Sequence, residues 1–346
     1  MSASAQAMTF AEKLAFLCEG GVFPEGEALL ETMETHLSWV FLTANHAYKL
    51  KKPLRTRVVD LTTLAARARN AEWELHLNRR LAGSLYEGLH PLLYEASRGL
   101  QFGPCMEGVA DWKADPVQVV DWLVRMRRLP ADLMLDALIR QSRIKIEEID
   151  RLGRHLGHFY RIQPRLNPDP VHYVASLRAT ILADAAALQA ESERVPGEWV
   201  ETILRRQLEF LERRAPLLAE RAAAGRIIEG HGDLRPEHVC LLEPPVIFDC
   251  LEFSRPLRIL DAVDELAYLG LECRRLGAPE CAEALLEGYA AVCHDRPPPA
   301  LLDFYRRYRA MVRAKLALWH GIDLPLDRPA HWQALLLDYL REAARD

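Results

Sequence analysis

Apolar residues cluster in two short early stretches, Ser38-Trp39-Val40-Phe41-Leu42-Thr43 and Ala47-Tyr48-Lys49-Leu50, both β-favouring runs. Ala44-Asn45-His46 separates them, and Asn tolerates turn conformations, so the pair predicts an antiparallel hairpin. From about Leu64 to Leu81 the period lengthens to that of a helix. Ala71, Leu77 and Leu81 fall on one side, the arginines fall largely elsewhere, and Glu74 lies on the apolar side. Val117 to Met126 is another extended apolar stretch, after which helical patterns dominate to the C-terminus.

Between Pro170 and Gly225 the pattern predicts two or three amphipathic helices, with Val200, Leu204, Leu208 and Leu211 along one face and Pro196-Gly197 separating the first two. The helical half has one interruption. Val239-Cys240-Leu241-Leu242 and Val246-Ile247-Phe248-Asp249 read as brief strands around Glu243-Pro244-Pro245, whose prolines cannot continue a ladder. Folding this second hairpin antiparallel brings His238 beside Asp249 at its open end.

Composition narrows the reading. Of 346 residues about half are hydrophobic and 27% charged, as in an ordinary globular chain long enough for two lobes. A formal charge of -5 gives no pull toward nucleic acid or an anionic membrane, and Arg125-Met126-Arg127-Arg128 reads as a solvated strand end. A small-molecule partner is the expectation. The seven cysteines form no CxxC pair and read as reduced core residues. Trp39, Trp73, Trp112 and Trp122 are expected in the core of the first lobe. The opening MSASAQAMTF lacks a basic segment leading into an apolar run, and no stretch approaches the roughly 18 apolar residues of a membrane span. The expected location is cytoplasmic.

Chemistry concentrates in His231-Gly232-Asp233-Leu234-Arg235-Pro236-Glu237-His238, directly before the second hairpin. Phosphoryl transfer from ATP needs a carboxylate to orient and deprotonate the acceptor, metal ions across the phosphates, and cations against developing charge. In a kinase catalytic loop the base Asp is followed five positions later by a metal-binding Asn. Asp233 holds the base position, Arg235 the place of a phosphate-contacting cation, and His238 the place of that Asn. Asp249 follows an apolar strand as a metal-binding Asp does, though Asp249-Cys250-Leu251 has no glycine. In the first lobe, Lys49 on the second strand and Glu74 on the next helix fit a lysine-glutamate pair that grips phosphates, with Lys51 and Glu72 as alternatives. No glycine-rich phosphate loop precedes them, and GxxxxGK[ST] is absent.

Taken together, THLSWVFLTANHAYKLKKP, the helix through Glu74-Leu75-His76-Leu77-Asn78-Arg79-Arg80-Leu81, HGDLRPEH, FDCLEF and Asp261-Ala262-Val263-Asp264-Glu265-Leu266 resemble a bacterial branch of the aminoglycoside phosphotransferase-like proteins. The resemblance runs from about Thr35 to Leu271 and is weakest in the 170–225 helices. It implies that Asp264 buttresses the catalytic loop and that Asp121 to Val124, Leu123 among them, is the hinge whose backbone meets adenine. Members of that branch often carry a second, P-loop kinase domain. Here the sequence stops at Asp346 without one, so a separate P-loop kinase partner is the corresponding expectation.

The expected architecture is an α+β, bilobal protein-kinase-like fold, with a small β-rich N-terminal lobe over residues 1–125 and a larger helical lobe over 126–346 that carries the catalytic loop and hairpin at 231–250. The expected function is an ATP-dependent phosphotransferase, using Mg2+ or Mn2+, that acts on a hydroxyl of a small molecule. In it Asp233 is the base, Asp249 and His238 hold metal, Lys49 with Glu74 holds phosphates, and Arg235 meets the transferred group. Because His238 replaces the usual Asn, and imidazole suits transition metals better than Mg2+, the alternative is a pseudokinase that binds nucleotide in a regulatory role.

Overall fold

The early β-favouring runs pair in the register that their side-chain pattern requires. In the computed structural model, which describes residues 8–19, 22–113, 118–323 and 329–345, Glu31–Glu34 (β1), Ser38–Leu42 (β2), His46–Lys51 (β3), Tyr86–Glu95 (β4), Gly99–Phe102 (β5) and Gln118–Arg127 (β6) form one antiparallel sheet in the order β1-β2-β3-β6-β4-β5. The first hairpin pairs Ser38 with Lys51 and Leu42 with Ala47. Residue 117, where the third extended stretch was expected to start, lies outside the described residues.

Alternation along β3 sends Tyr48 and Leu50 to one face of the sheet and Lys49 and Lys51 to the other. On the first face Tyr48 and Leu50 pack with Leu17 of Phe10–Cys18 (α1), Phe23, Phe41, Leu92 and Leu123. On the second lies Leu64–Ala82 (α2), started by Thr63, whose hydroxyl accepts from the Ala66 amide at 3.1 Å. Its Ala68, Ala71 and Leu75 pack with Leu89, Trp122, Val124 and Met126. Trp122 is buried as expected, whereas Trp73 sits on the outer side of α2 and is 52% exposed.

Two units divide the chain. One comprises the residues up to Leu133 together with Val246–Arg255, and the other Met134–Pro245 together with the residues from Pro256 on. The boundary therefore falls after 133 rather than 125, and the first unit recruits a distant segment that begins with Val246–Ile247 (β9). Val246 and Phe248 supply the reason, since both pack against the α2-side core.

The second unit is mostly helical: Leu135–Arg140 (α3), Ile146–Ile162 (α4), Pro170–Gln189 (α5), Gly197–Ala223 (α6), Ala262–Arg275 (α7), Cys281–Cys293 (α8), Pro299–Asp323 (α9) and Pro329–Ala344 (α10). Ile227–Glu229 (β7) pairs antiparallel with Ile259–Asp261 (β10). The α6 face is buried at Val200, Ile203, Gln207 and Leu211, with Leu204 packed against the same core as expected, while Gln207 rather than Leu208 takes the next inward place. That helix breaks at Arg214, two residues before Pro216, whose ring cannot be accommodated in a regular turn. Val239–Cys240 (β8) is shorter than its apolar run, because the Leu242 amide turns back onto the Cys240 carbonyl at 2.9 Å and ends the extended segment. Among the described residues no helix is long and apolar enough to cross a membrane.

Candidate active site

In the first unit the charged residues of β3 meet those of α2 and the 246–255 segment. Lys49 Nζ lies 2.9 Å from Glu74 Oε1 and 2.5 Å from Asp249 Oδ1. Lys51 Nζ lies 2.5 Å from Glu74 Oε2 and 2.7 Å from Glu252 Oε1. The result is a row of alternating sign, Asp249, Lys49, Glu74, Lys51, Glu252. Lys51 is therefore a second partner of Glu74 rather than a substitute for Lys49. Glu72, the alternative acid, instead accepts from the Val109 amide at 3.3 Å.

Glu74 is fully buried, which only charge compensation from both sides makes tenable. Burial alone would push both lysines down, but Asp249 and Glu74 hold the Lys49 ammonium well above its ordinary value, and Glu252 and Glu74 raise Lys51 likewise. The Asp249 side chain, in contrast, keeps 36% of its surface exposed. Asp249 takes a left-handed backbone (φ 60°) with no glycine to ease it. Its amide donates to the Tyr86 hydroxyl at 3.3 Å, and the next amide, of Cys250, donates to Asn78 Oδ1 at 2.8 Å. The conformation is thus fixed by β4 and α2.

Asp121 and Leu123 do not form a hinge. They lie in the middle of β6, where Leu123 pairs with Leu50 on one side and His90 on the other, and Asp121 pairs with Leu92. Their backbone groups face the neighbouring strands, so no adenine could be read there. The Asp121 carboxylate is buried and tied to Lys13 at 2.8 Å and to Arg67 at 2.8 Å, which fastens α1 and α2 to the sheet. The strand ends at Arg127, and the connection out of the sheet begins only after it.

The loop after β7 carries the other group of candidates, all within the second unit. Asp233 Oδ1 accepts from the Tyr268 hydroxyl at 2.9 Å and Oδ2 from Arg235 Nε at 3.2 Å. Burial opposes ionisation of Asp233, yet the charges of Arg235, His238 and Arg313 and the Tyr268 hydrogen bond hold it well below the usual carboxylate range. Arg235 is committed within its own loop: besides Asp233 it meets Glu237 Oε1 at 2.6 Å and His238 Nε2 at 3.2 Å.

His238 is buried, with Nδ1 2.8 Å from the Asp233 carbonyl. Nδ1 therefore carries the proton, and the Nε2 lone pair points at the Arg235 guanidinium. That arrangement contradicts a metal-ligand role for His238 and makes it a brace between Asp233 and Arg235. Among the described residues no group of three or more His, Cys, Asp or Glu side chains is arranged to hold a metal ion.

The buttress of the loop is Glu265, not Asp264. Glu265 Oε1 accepts from the amides of His231 at 2.8 Å and Gly232 at 2.7 Å, and Oε2 accepts from the Tyr160 hydroxyl at 2.9 Å. A Cβ on Gly230 would come within 2.8 Å of that carboxylate, so the chain must be bare there. Asp264 turns to Arg309 instead, in a two-point pair of 2.7 and 2.6 Å, and the Arg309 guanidinium lies 5.2 Å from the centre of the Tyr268 ring. Burial raises both acids. Tyr268 and Arg313 escaped the sequence reading because each sits more than 30 residues from Asp233 with no motif around it, whereas Glu265 stood in the quoted 261–266 segment and was passed over for its neighbour Asp264.

No family model matches the chain. Uncharacterized proteins of Mycobacterium bovis and Mycobacterium tuberculosis are 31% identical to it over 293 residues, 84% of this chain and 55% of theirs. The chain thus spans about half the length of the curated relatives it matches. Among solved structures, a choline/ethanolamine kinase family protein from Mesorhizobium loti superposes with a TM-score of 0.50 at 16% identity, covering 97% of this chain and 99% of that one. An ethanolamine kinase of Plasmodium vivax gives 0.50 at 10% identity, covering 92% and 84%. The chain has the α+β, protein-kinase-like fold of these small-molecule kinases, which is the fold that the aminoglycoside phosphotransferase resemblance implied.

Proposed function

We propose that this protein is an ATP-dependent phosphotransferase acting on a hydroxyl group of a small molecule in the cytoplasm. The observation that carries the reading is the Lys49 ammonium shared between buried Glu74 and half-exposed Asp249, on a fold used by small-molecule kinases. Lys49, already charged and held in place by Glu74, would bind phosphate oxygens. Asp249 presents hard carboxylate oxygen, which suits Mg2+ or Mn2+, whereas His238 does not fit as a ligand. Bound ATP and its metal would supply the phosphoryl group and neutralise its charge. Asp233, oriented by Tyr268 and Arg235, would take the proton of the acceptor hydroxyl through a lone pair that those donors leave open. Arg235 acts through Asp233 rather than on the transferred group.

A second reading, a nucleotide-binding module without turnover, is favoured by the replacement of a metal-binding Asn with the braced His238 and by the lack of glycine between Gly26 and Gly83. Thermal unfolding with ATP and Mg2+ or Mn2+ together with ADP release separates the two. Nucleotide at a hundred times Kd should add about 2.7 kcal/mol of stability. Lys49→Ala should lose that gain, while Asp233→Asn should keep it and abolish turnover. Binding without turnover in the native protein selects the second reading, and full turnover in Asp233→Asn removes the proposed base.

A further inference from the structure

Four guanidinium groups lie around Tyr268 and Tyr339 in the second unit, and three of them are matched by carboxylates. Arg235 meets Asp233 and Glu237, Arg309 meets Asp264 at two points, and Arg275 meets Asp338 at 2.8 Å and Glu272 Oε2 at 2.8 Å. Arg313, on α9, differs. Its Nε donates to the Tyr339 hydroxyl at 3.1 Å, and its nearest carboxylate oxygen is Glu272 Oε1 at 3.8 Å. Glu272 is already taken: Oε1 accepts from Tyr339 at 2.7 Å and Oε2 from Arg275. Neither terminal nitrogen of Arg313 has a hydrogen-bond partner among the described residues, although only 15% of the side chain is exposed. A guanidinium taken largely out of water with its fork unfilled carries a desolvation cost that a ligand could offset.

The aromatic faces nearby tell the same story. Arg275 lies 3.8 Å from the centre of the Tyr339 ring, Arg309 lies 5.2 Å from Tyr268, and Lys315 lies 4.7 Å from Trp319. Arg313 itself lies 5.5 Å from the centre of the Tyr339 ring, so each of these rings already faces a cation of the protein rather than standing open to an ammonium ligand. Arg313 is also near enough for its charge to act on Asp233 and Tyr268.

From these contacts we infer that Arg313 is a specificity residue whose free fork receives an anionic group, carboxylate or phosphate, on an acceptor alcohol, and that cationic amino alcohols are disfavoured there. The inference rests on the phosphotransferase reading for the word acceptor, but its test needs no phosphoryl transfer. The full chain is titrated without nucleotide with four compounds of one skeleton: glycerol, glycerate, glycerol 3-phosphate and 3-amino-1,2-propanediol. The native protein should bind one or both anions at least about tenfold more tightly than glycerol, as one charge-assisted contact allows, and the amine more weakly than glycerol. Whichever anion binds better identifies the group. Arg313→Gln should bring the anion-to-glycerol ratio to within about twofold, and Arg313→Lys should restore part of it. A purely structural Arg313 would lower the unfolding temperature without moving that ratio. Equal binding of all four compounds, no binding of any, or an anion preference that survives Arg313→Gln overturns the inference. Nucleotide stabilisation that depends on Lys49 is scored separately, so either proposal can fail alone.

Discussion

The imidazole of His238 shows how much a single side chain's hydrogen bonds decide. Position alone made it a metal ligand, five residues after Asp233, but its two nitrogens are turned to the Asp233 carbonyl and the Arg235 guanidinium. His238→Ala should therefore lower turnover by loosening Asp233 and Arg235, while the Mg2+ concentration giving half-maximal activity stays within about twofold; losing even an outer-shell partner of a bound metal typically shifts affinity about 10–100-fold. A metal titration of ADP release in both proteins checks this. At this scale the pairing of Lys49 with Glu74 was legible from one residue type at one spacing, and the structure brings the two to 2.9 Å. The sequence was silent about Asp264 against Glu265. Both follow Asp261, the N-cap of α7, and successive residues point about 100° apart around a helix. Only the way α7 lies beside the loop after β7 decides which carboxylate reaches the amides of His231 and Gly232.

Elements meet closely where the sequence withholds side chains. On α4 and α8, a Cβ at Gly153 would stand 2.3 Å from the Leu285 carbonyl oxygen, and one at Gly288 would stand 2.1 Å from that of Asp150. The two helices thus touch backbone to backbone, and a methyl at either place must force them apart. Gly153→Ala and Gly288→Ala should each cost about 1–3 kcal/mol in denaturant unfolding, despite the gain in helix propensity that alanine brings. The helical character of this part of the chain was expected, but the contact of these two helices was not, because an isolated helical glycine carries no signal of what it faces. The α6 face illustrates the same limit. Its period and most of its face were right, with Val200, Leu204 and Leu211 inward, but at one turn Gln207 rather than Leu208 is buried, since both satisfy a helical repeat.

Taken whole, the molecule makes its first unit from two pieces of chain, and residues 246–255 bring Asp249 and Glu252 to lysines about two hundred positions earlier. A fragment of residues 1–133 would lack Val246 and Phe248 from its core and leave Lys49 and Lys51 with Glu74 alone. It should fail to show a cooperative thermal transition, and joining residues 246–255 to its end through a flexible linker should restore one. The division into a β-rich and a helical part was legible from the change of period near residue 127, whereas the return of a late segment was not, because nothing local in Val246-Ile247-Phe248 says which core it completes. The row Asp249, Lys49, Glu74, Lys51, Glu252 has a bearing on descent as well as on chemistry. Neutralising an end member leaves its neighbour in surplus, and the disturbance passes inward, so Glu252 is coupled to Lys49 through Lys51 and Glu74, though less strongly than Glu74, which touches Lys49 directly. Descendants of this protein can alter the row only in compensating pairs, and a homologue that has lost Glu252 should have replaced Lys51 in the same step.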